Sequence, residues 1–252
     1  MFFSSWVQWA QLPWITRGLA AICSGVVRIV GPILVTSAAL LLAAAMPSLA
    51  ATTRHKCRSQ RPQAFLERPT YVRNGAIVGE AHAKAIRYRV ANYGFINGMG
   101  QEGLNRTSAE SMATRTEFFG HAIRVNRRIV PALQCVEERI EHQCSKPRDA
   151  YYPKNVGGIR LSNTIRGGEI SNHLFGIAID IDPDRNPCCH CVGDWKKDPK
   201  CAKVVKSPFE RAALTHCWVD AFDHFGFYWL GRDTLEDTMH FEFLGDPKRI
   251  LR

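Results

Sequence analysis

Ser171-Asn172-His173-Leu174-Phe175-Gly176-Ile177-Ala178-Ile179-Asp180-Ile181 is the stretch whose reading decides the fold. From Ile177 to Ile181, apolar and small residues alternate in a β-branched run typical of a buried strand. Gly176 marks a tight turn just before it, so His173 can fold back from the preceding loop and meet the Asp180 carboxylate from the same side. Far downstream, Asp237-Thr238-Met239-His240-Phe241-Glu242-Phe243 contains a second strand, Met239 to Phe243. Its period of two puts His240 and Glu242 on one face and Phe241 and Phe243 on the opposite, core face. His173, Asp180 and His240 then form the three-ligand set of a catalytic zinc, Zn2+, which typically leaves its fourth position to water. Such a site needs a proton acceptor, and a carboxylate close in sequence to a ligand is a common way to hold one. Asp237 is assigned that role. Glu236 would point elsewhere if the segment is extended, and Glu242 is placed to hydrogen-bond a ligand or the chain.

The pattern Ser-x-His-x-x-Gly-x-Ala-x-Asp followed by Asp-x-x-His-Phe-Glu resembles the zinc D-alanyl-D-alanine carboxypeptidases and L-alanyl-D-glutamate endopeptidases, a group that includes vancomycin-resistance carboxypeptidases and phage endolysins. The likeness runs from about Phe118 to Leu244. Gly157-Gly158-Ile159-Arg160 is similar to the family's glycine-containing turn ending in an arginine that binds a substrate carboxylate, and Phe225-Gly226-Phe227-Tyr228-Trp229 to its aromatic strand. The resemblance implies an α+β fold, a small antiparallel sheet with flanking helices in a single disulfide-braced zinc peptidase domain. It implies hydrolysis of peptidoglycan stem peptides, with His173, Asp180 and His240 as ligands and Asp237 as general base. Arg160, Ser171 and Trp229 are the candidate substrate-binding residues. An arginine's planar fork suits a peptide carboxylate. Ser171 can hydrogen-bond near a ligand or stabilise its loop, and Trp229 suits core or cleft wall. Aspartate at 237 is closer to the phage endopeptidases than to the carboxypeptidases, whose base is usually glutamate, so the scissile bond stays open. A non-catalytic, zinc-bearing wall-binding module is the alternative. Cys188-Cys189-His190-Cys191 and Cys201 form an insertion that the family core does not need.

Residues 1–50 carry only Arg17 and Arg28 as charges, then an apolar run from Ile29 to Met46 that ends Ser48-Leu49-Ala50-Ala51. This reads as an export signal, or as an uncleaved membrane anchor given the long start with Trp6, Trp9 and Trp14. Both place the remainder outside the cytosol, in the periplasm or cell envelope, as a monomer whose only membrane contact would be that anchor. Without those two arginines the formal charge of +10 becomes +8, a bias toward anionic wall polymers or membrane surfaces. No nucleic-acid-binding motif accompanies it, so nucleic acid is excluded as a partner. After Cys23, eight cysteines remain, enough for up to four disulfides in an oxidising compartment, with pairing undetermined. A structural zinc held by the Cys188 to Cys201 cluster with His190 is the competing expectation.

The expected organisation is a signal or anchor over 1–50, a basic linker and N-terminal extension over 51–105, and the peptidase domain over 106–252. Residues 52–75, with Pro62, Pro69 and five arginines, read as a linker or an arm over the domain. A helix is expected from Glu80 to Tyr93, a strand over Glu117 to Val125, and a helix with Pro131 in its first turn and Leu133, Val136 and Ile140 on one face. Ser207-Pro208-Phe209-Glu210 has the residues of a capping box, so a helix is expected from Pro208 to Phe225.

Overall fold

The computed structural model describes residues 56–165, 167–191 and 194–252. The export signal or anchor expected over residues 1–50 lies outside them. Among the described residues, no helix is long and apolar enough to cross a membrane. In chain order the elements begin with α1 (Arg68–Tyr71), β1 (Val72–Arg73), β2 (Ala76–Ile77), α2 (Gly79–Tyr93) and α3 (Ala109–Met112). There follow β3 (Ala113–Phe118), β4 (His121–Asn126), α4 (Val130–Gln143), β5 (Val156–Gly157), β6 (Ala178–Ile181), α5 (His216–His224), β7 (Phe227–Trp229) and β8 (His240–Phe243). The class is α+β, as expected.

Four of these strands make one antiparallel sheet in the order β5-β6-β8-β7. Its register sets Asp180 opposite His240 and Ile179 opposite Phe241, while Trp229 meets Phe241 from the other side. Because side chains alternate across a strand, this single register sends Asp180, His240 and Glu242 to one face and Ile179, Phe241, Phe243 and Trp229 to the other. The second face is the core. There, α5 lays Phe222 in a stack on Phe241 at 4.0 Å, and α4 adds the buried Leu133, Val136 and Ile140. Each fully buried side chain of this size contributes roughly 1.5–3 kcal/mol. Pro131 occupies the first turn of α4, where its missing N–H costs no helical bond.

Two local expectations are corrected. The single strand read over Glu117 to Val125 is a hairpin, β3 and β4, with Phe118 opposite His121. Its two-residue turn has positive φ at both Phe119 and Gly120, the twist that tight hairpins favour. Phe119 tolerates that backbone because its N–H donates to Glu137 at 2.6 Å and its ring packs on Trp218 at 4.7 Å. The helix read from Pro208 to Phe225 starts with the expected capping box but stops as a single turn at Glu210. The Asn186 side-chain oxygen takes the N–H groups of Ala213 and Leu214 at 2.8 and 3.1 Å, which diverts the backbone bonds a continuous helix would use. The helix proper begins at His216.

The N-terminal segment packs against the sheet and helices. Gln60 and Gln63 donate backbone bonds to His224 and Leu244, and Leu66 and Tyr71 form a buried cluster with Ala85 and Leu244. The eight cysteines form four disulfides: Cys57–Cys135, Cys144–Cys217, Cys188–Cys191 and Cys189–Cys201. The eight cysteines thus pair as the default expectation has it, and the competing one, a structural zinc in the Cys188 to Cys201 cluster, is corrected, since paired sulfurs offer no thiolate to a metal.

Candidate metal centre

The loop carrying His173 is shaped by two close approaches. Gly176 has φ of +67°, and a Cβ there would come within 2.8 Å of the Asn126 backbone nitrogen, which donates to the Gly176 carbonyl. The buried Asn126 side chain also donates to the carbonyls of Tyr93 and Phe175, so one residue ties the hairpin, α2 and the ligand loop together. At Gly158 a Cβ would run into the Arg124 carbonyl oxygen. Its absence lets the Gly158 carbonyl reach His173 Nδ1 at 2.6 Å.

That bond fixes the imidazole chemistry. A carbonyl oxygen only accepts, so His173 Nδ1 carries the proton and Nε2 keeps its lone pair. His240 is set the opposite way round: Nε2 donates to Glu242 Oε1 at 3.1 Å, leaving Nδ1 to face inward. The two inward nitrogens are 3.0 Å apart, with Asp180 at 2.8 Å from His240 Nδ1 and 3.1 Å from His173 Nε2. Two lone pairs at that distance repel unless a proton or a cation lies between them. Burial pushes the His240 imidazolium down, but Asp180 and Glu242 outweigh it and raise its pKa to about 10. At His173 burial prevails over the attraction of Asp180 and lowers the pKa. Burial alone would raise Asp180, yet the charges and hydrogen bonds of the two histidines hold it well below the usual carboxylate range.

His173, Asp180 and His240 could together hold a metal ion, their ligand atoms lying within 4.8 Å of one another. Two imidazole nitrogens and a carboxylate suit zinc among the divalent ions. Cys188, Cys191 and Asp237 come equally close, but the two sulfurs are joined.

The cluster opens into a cavity of about 560 Å³ lined by Arg160, Ser171, Asp180, Asp237 and His240 on its polar side and by Leu230, Leu235 and Met239 beside them. Asp237 is buried, its Oδ1 without a hydrogen-bond partner among the described residues and its Oδ2 3.7 Å from the Cys191 sulfur. Burial, with Asp180 and Glu242 adding like charge, raises its pKa to about 7 against the pull of His240. Glu236 turns away to pair with Arg211. Arg160 reaches the cluster from beyond β5, its Nη1 3.7 Å from Asp180 and its side chain 40 % exposed. Ser171 is buried at the cavity edge, its Oγ accepting the His173 N–H at 3.3 Å. Trp229 does not join them: it is fully buried on the core face, its indole donating to the Thr238 carbonyl at 2.9 Å.

Several supporting groups were not read from the sequence. The Gly158 carbonyl is a backbone atom and has no side-chain signature. Arg89 of α2, fully buried, lies close enough for its charge to favour ionised Glu242 behind His240. Arg68 lines the cavity but is spent on Glu169, two bonds of 2.8 Å, and on Asp233 at 2.6 Å. Only its burial among carboxylates distinguishes it from the other arginines of the basic arm.

A His-Asp-His cluster, two ligands on the sheet and one on the loop before it, thus lies beside a buried acid at a cleft and could hold a metal ion. Residues 164–243 match the family described as D-alanyl-D-alanine carboxypeptidase. The match bears out the family resemblance and supports a peptidase related to peptidoglycan; it spans His173, Asp180, Asp237 and His240 and leaves Arg160 outside. No curated protein and no solved structure matches the chain.

Proposed function

We propose that the protein is a zinc-dependent peptidase that hydrolyses peptidoglycan stem peptides outside the cytosol. The observation that carries this reading is the pair of imidazoles tied outward to Gly158 and Glu242 so that their free nitrogens converge with Asp180 beside buried Asp237. Zinc held by His173, Asp180 and His240 supplies a Lewis acid for the scissile carbonyl and makes a water proton easier to remove. Asp237 takes that proton and later returns it to the leaving amine. Arg160, half-exposed at the mouth, grips a carboxylate of the peptide. Ser171 holds the backbone of His173 against the cavity edge. Four disulfides agree with an extracytoplasmic location. A wall-binding module without turnover would have no use for a buried acid with a free oxygen beside the cluster.

The test is incubation of the purified protein, with and without zinc, with defined muropeptides, reading products by mass spectrometry beside an Asp237→Ala control. Zinc- and Asp237-dependent release of terminal D-alanine makes it a carboxypeptidase, and a cut between L-alanine and D-glutamate makes it an endopeptidase. Zinc binding with no product from any muropeptide overturns the peptidase and favours the module.

A further inference from the structure

The Cys188 to Cys201 insertion borders the same cavity as the cluster, contributing Cys188, His190, Cys191 and Trp195. It is stitched to the segment that bears Asp237. Thr238 N–H donates to Pro187, Cys189 N–H to Glu236, and His190 N–H to Leu235, while Cys188 forms a β-bridge with Asp237. His190 is held in this loop from several sides. Both chain neighbours are locked in disulfides, its backbone N–H is bonded at 3.0 Å, and its ring Nδ1 lies 3.0 Å from the Thr234 carbonyl.

An exposed imidazole held by so many restraints loses little freedom on meeting a ligand, which is what preorganisation means. Because Nδ1 faces a carbonyl, that nitrogen carries a proton, and in the neutral ring Nε2 keeps a lone pair. No hydrogen bond to Nε2 is made by a described residue. Arg160 enters the cleft from the β5 edge of the sheet, and the insertion enters from the β8 side. The lining of the one cavity therefore includes the Arg160 cation, the His190 ring, and Leu230, Leu235 and Met239 as apolar surface.

Resting on the peptidase reading, we propose that His190 is a substrate-binding residue, accepting through Nε2 a hydrogen bond from a peptide N–H or ammonium group of a substrate whose carboxylate is held by Arg160. The insertion then sets specificity: it selects peptides that carry a donor at the right distance from that carboxylate.

Two substitutions separate this role from bracing of the loop. His190→Asn keeps a donor near the Thr234 carbonyl and removes the outer nitrogen. His190→Gln places an amide oxygen near the Nε2 position and gives up the Thr234 bond. Calorimetric titration of the metal-free, full-length protein with a synthetic stem pentapeptide, its four disulfides verified by mass, gives affinity without turnover. The expected result is about tenfold weaker binding for His190→Asn and His190→Ala, with His190→Gln near wild type. In the zinc-loaded enzyme the same loss is expected in KM with kcat little changed. The reverse order, Asn near wild type and Gln weakened, makes His190 a loop brace and overturns the inference. Wild type that binds or cleaves the peptide while all three variants behave like it also overturns it and leaves the peptidase reading standing. Wild type that neither binds nor cleaves any stem peptide brings down both.

Discussion

The chain uses disulfides in two regions and to different ends. Behind the core, Cys57–Cys135 and Cys144–Cys217 close loops of 78 and 73 residues; at the cleft, Cys188–Cys191 and Cys189–Cys201 span 3 and 12. Loop-closure entropy makes a long crosslink worth about 4 kcal/mol against the unfolded chain and the shortest one under about 2. The rear pair therefore acts on whether the domain is folded. The front pair restrains an unfolded chain weakly, and its use is local: it fixes the wall that carries Asp237 and His190.

The largest effect that could sharpen this contrast is at Asp237. Asp237→Asn is expected to lower turnover by roughly 10²–10⁴ while zinc binding and the thermal midpoint hold, because the proposed role of the acid is in the reaction and Oδ1 has no hydrogen bond to lose among the described residues. A variant that retains a tenth of wild-type turnover would assign the proton transfer elsewhere. Next comes the double substitution Cys144→Ser/Cys217→Ser, expected to cost about 4 kcal/mol in denaturant unfolding with turnover per folded molecule unchanged; equal loss of both would erase the division between rear and front. Zinc should act from the front on the whole domain: free zinc at a hundred times its Kd raises stability by about 2.7 kcal/mol, and His240→Ala should abolish the shift in thermal midpoint. Cys188→Ser/Cys191→Ser is the converse of the rear pair, with a stability cost under about 2 kcal/mol but turnover reduced roughly tenfold as Asp237 loses its backing. Finding the turnover intact would make this crosslink a mere brace.

The smallest effect lies at the hairpin turn in the rear region. Burial pushes the Glu137 carboxyl up, so the fold holds its proton more tightly than the unfolded chain does. That contribution is present at acid pH and lost as pH rises through the folded pKa. Glu137→Gln keeps the acceptor for the Phe119 N–H, and should gain less than about 1 kcal/mol at pH 7 and nothing near pH 3 in paired melts. A penalty at neutral pH would mean that the charge itself holds the turn.

The contrast between regions also separates what the sequence made legible. The faces of β6 and β8 follow from a period of two, which sets Asp180, His240 and Glu242 on one side, and the Gly176 turn returns His173 to the same side. The first turn of α4 was legible because Pro131 has few other places to sit. The failures have tertiary causes. Phe119 takes a left-handed turn against its own preference because Glu137 and Trp218 receive it. A good capping box leads to only one turn because Asn186, more than twenty residues earlier, claims the next N–H groups. The aromatic strand was located correctly, but the side to which Trp229 points depends on its partner Phe241. Disulfide pairing needs distances that spacing does not contain.

The seam between residues 56–58 and 250–252 has a mechanical consequence. Arg58 N–H bonds to Ile250, Arg252 N–H to Lys56, and Cys57 is joined covalently to Cys135 in α4. A pull applied to the backbone at Lys56 is thus delivered at the next residue through a sulfur bridge into the rigid helix on the far side of the sheet from the cluster. Part of the load is carried into α4 by Cys57–Cys135, and part is shared by the Arg58–Ile250 bond with the segment that follows β8.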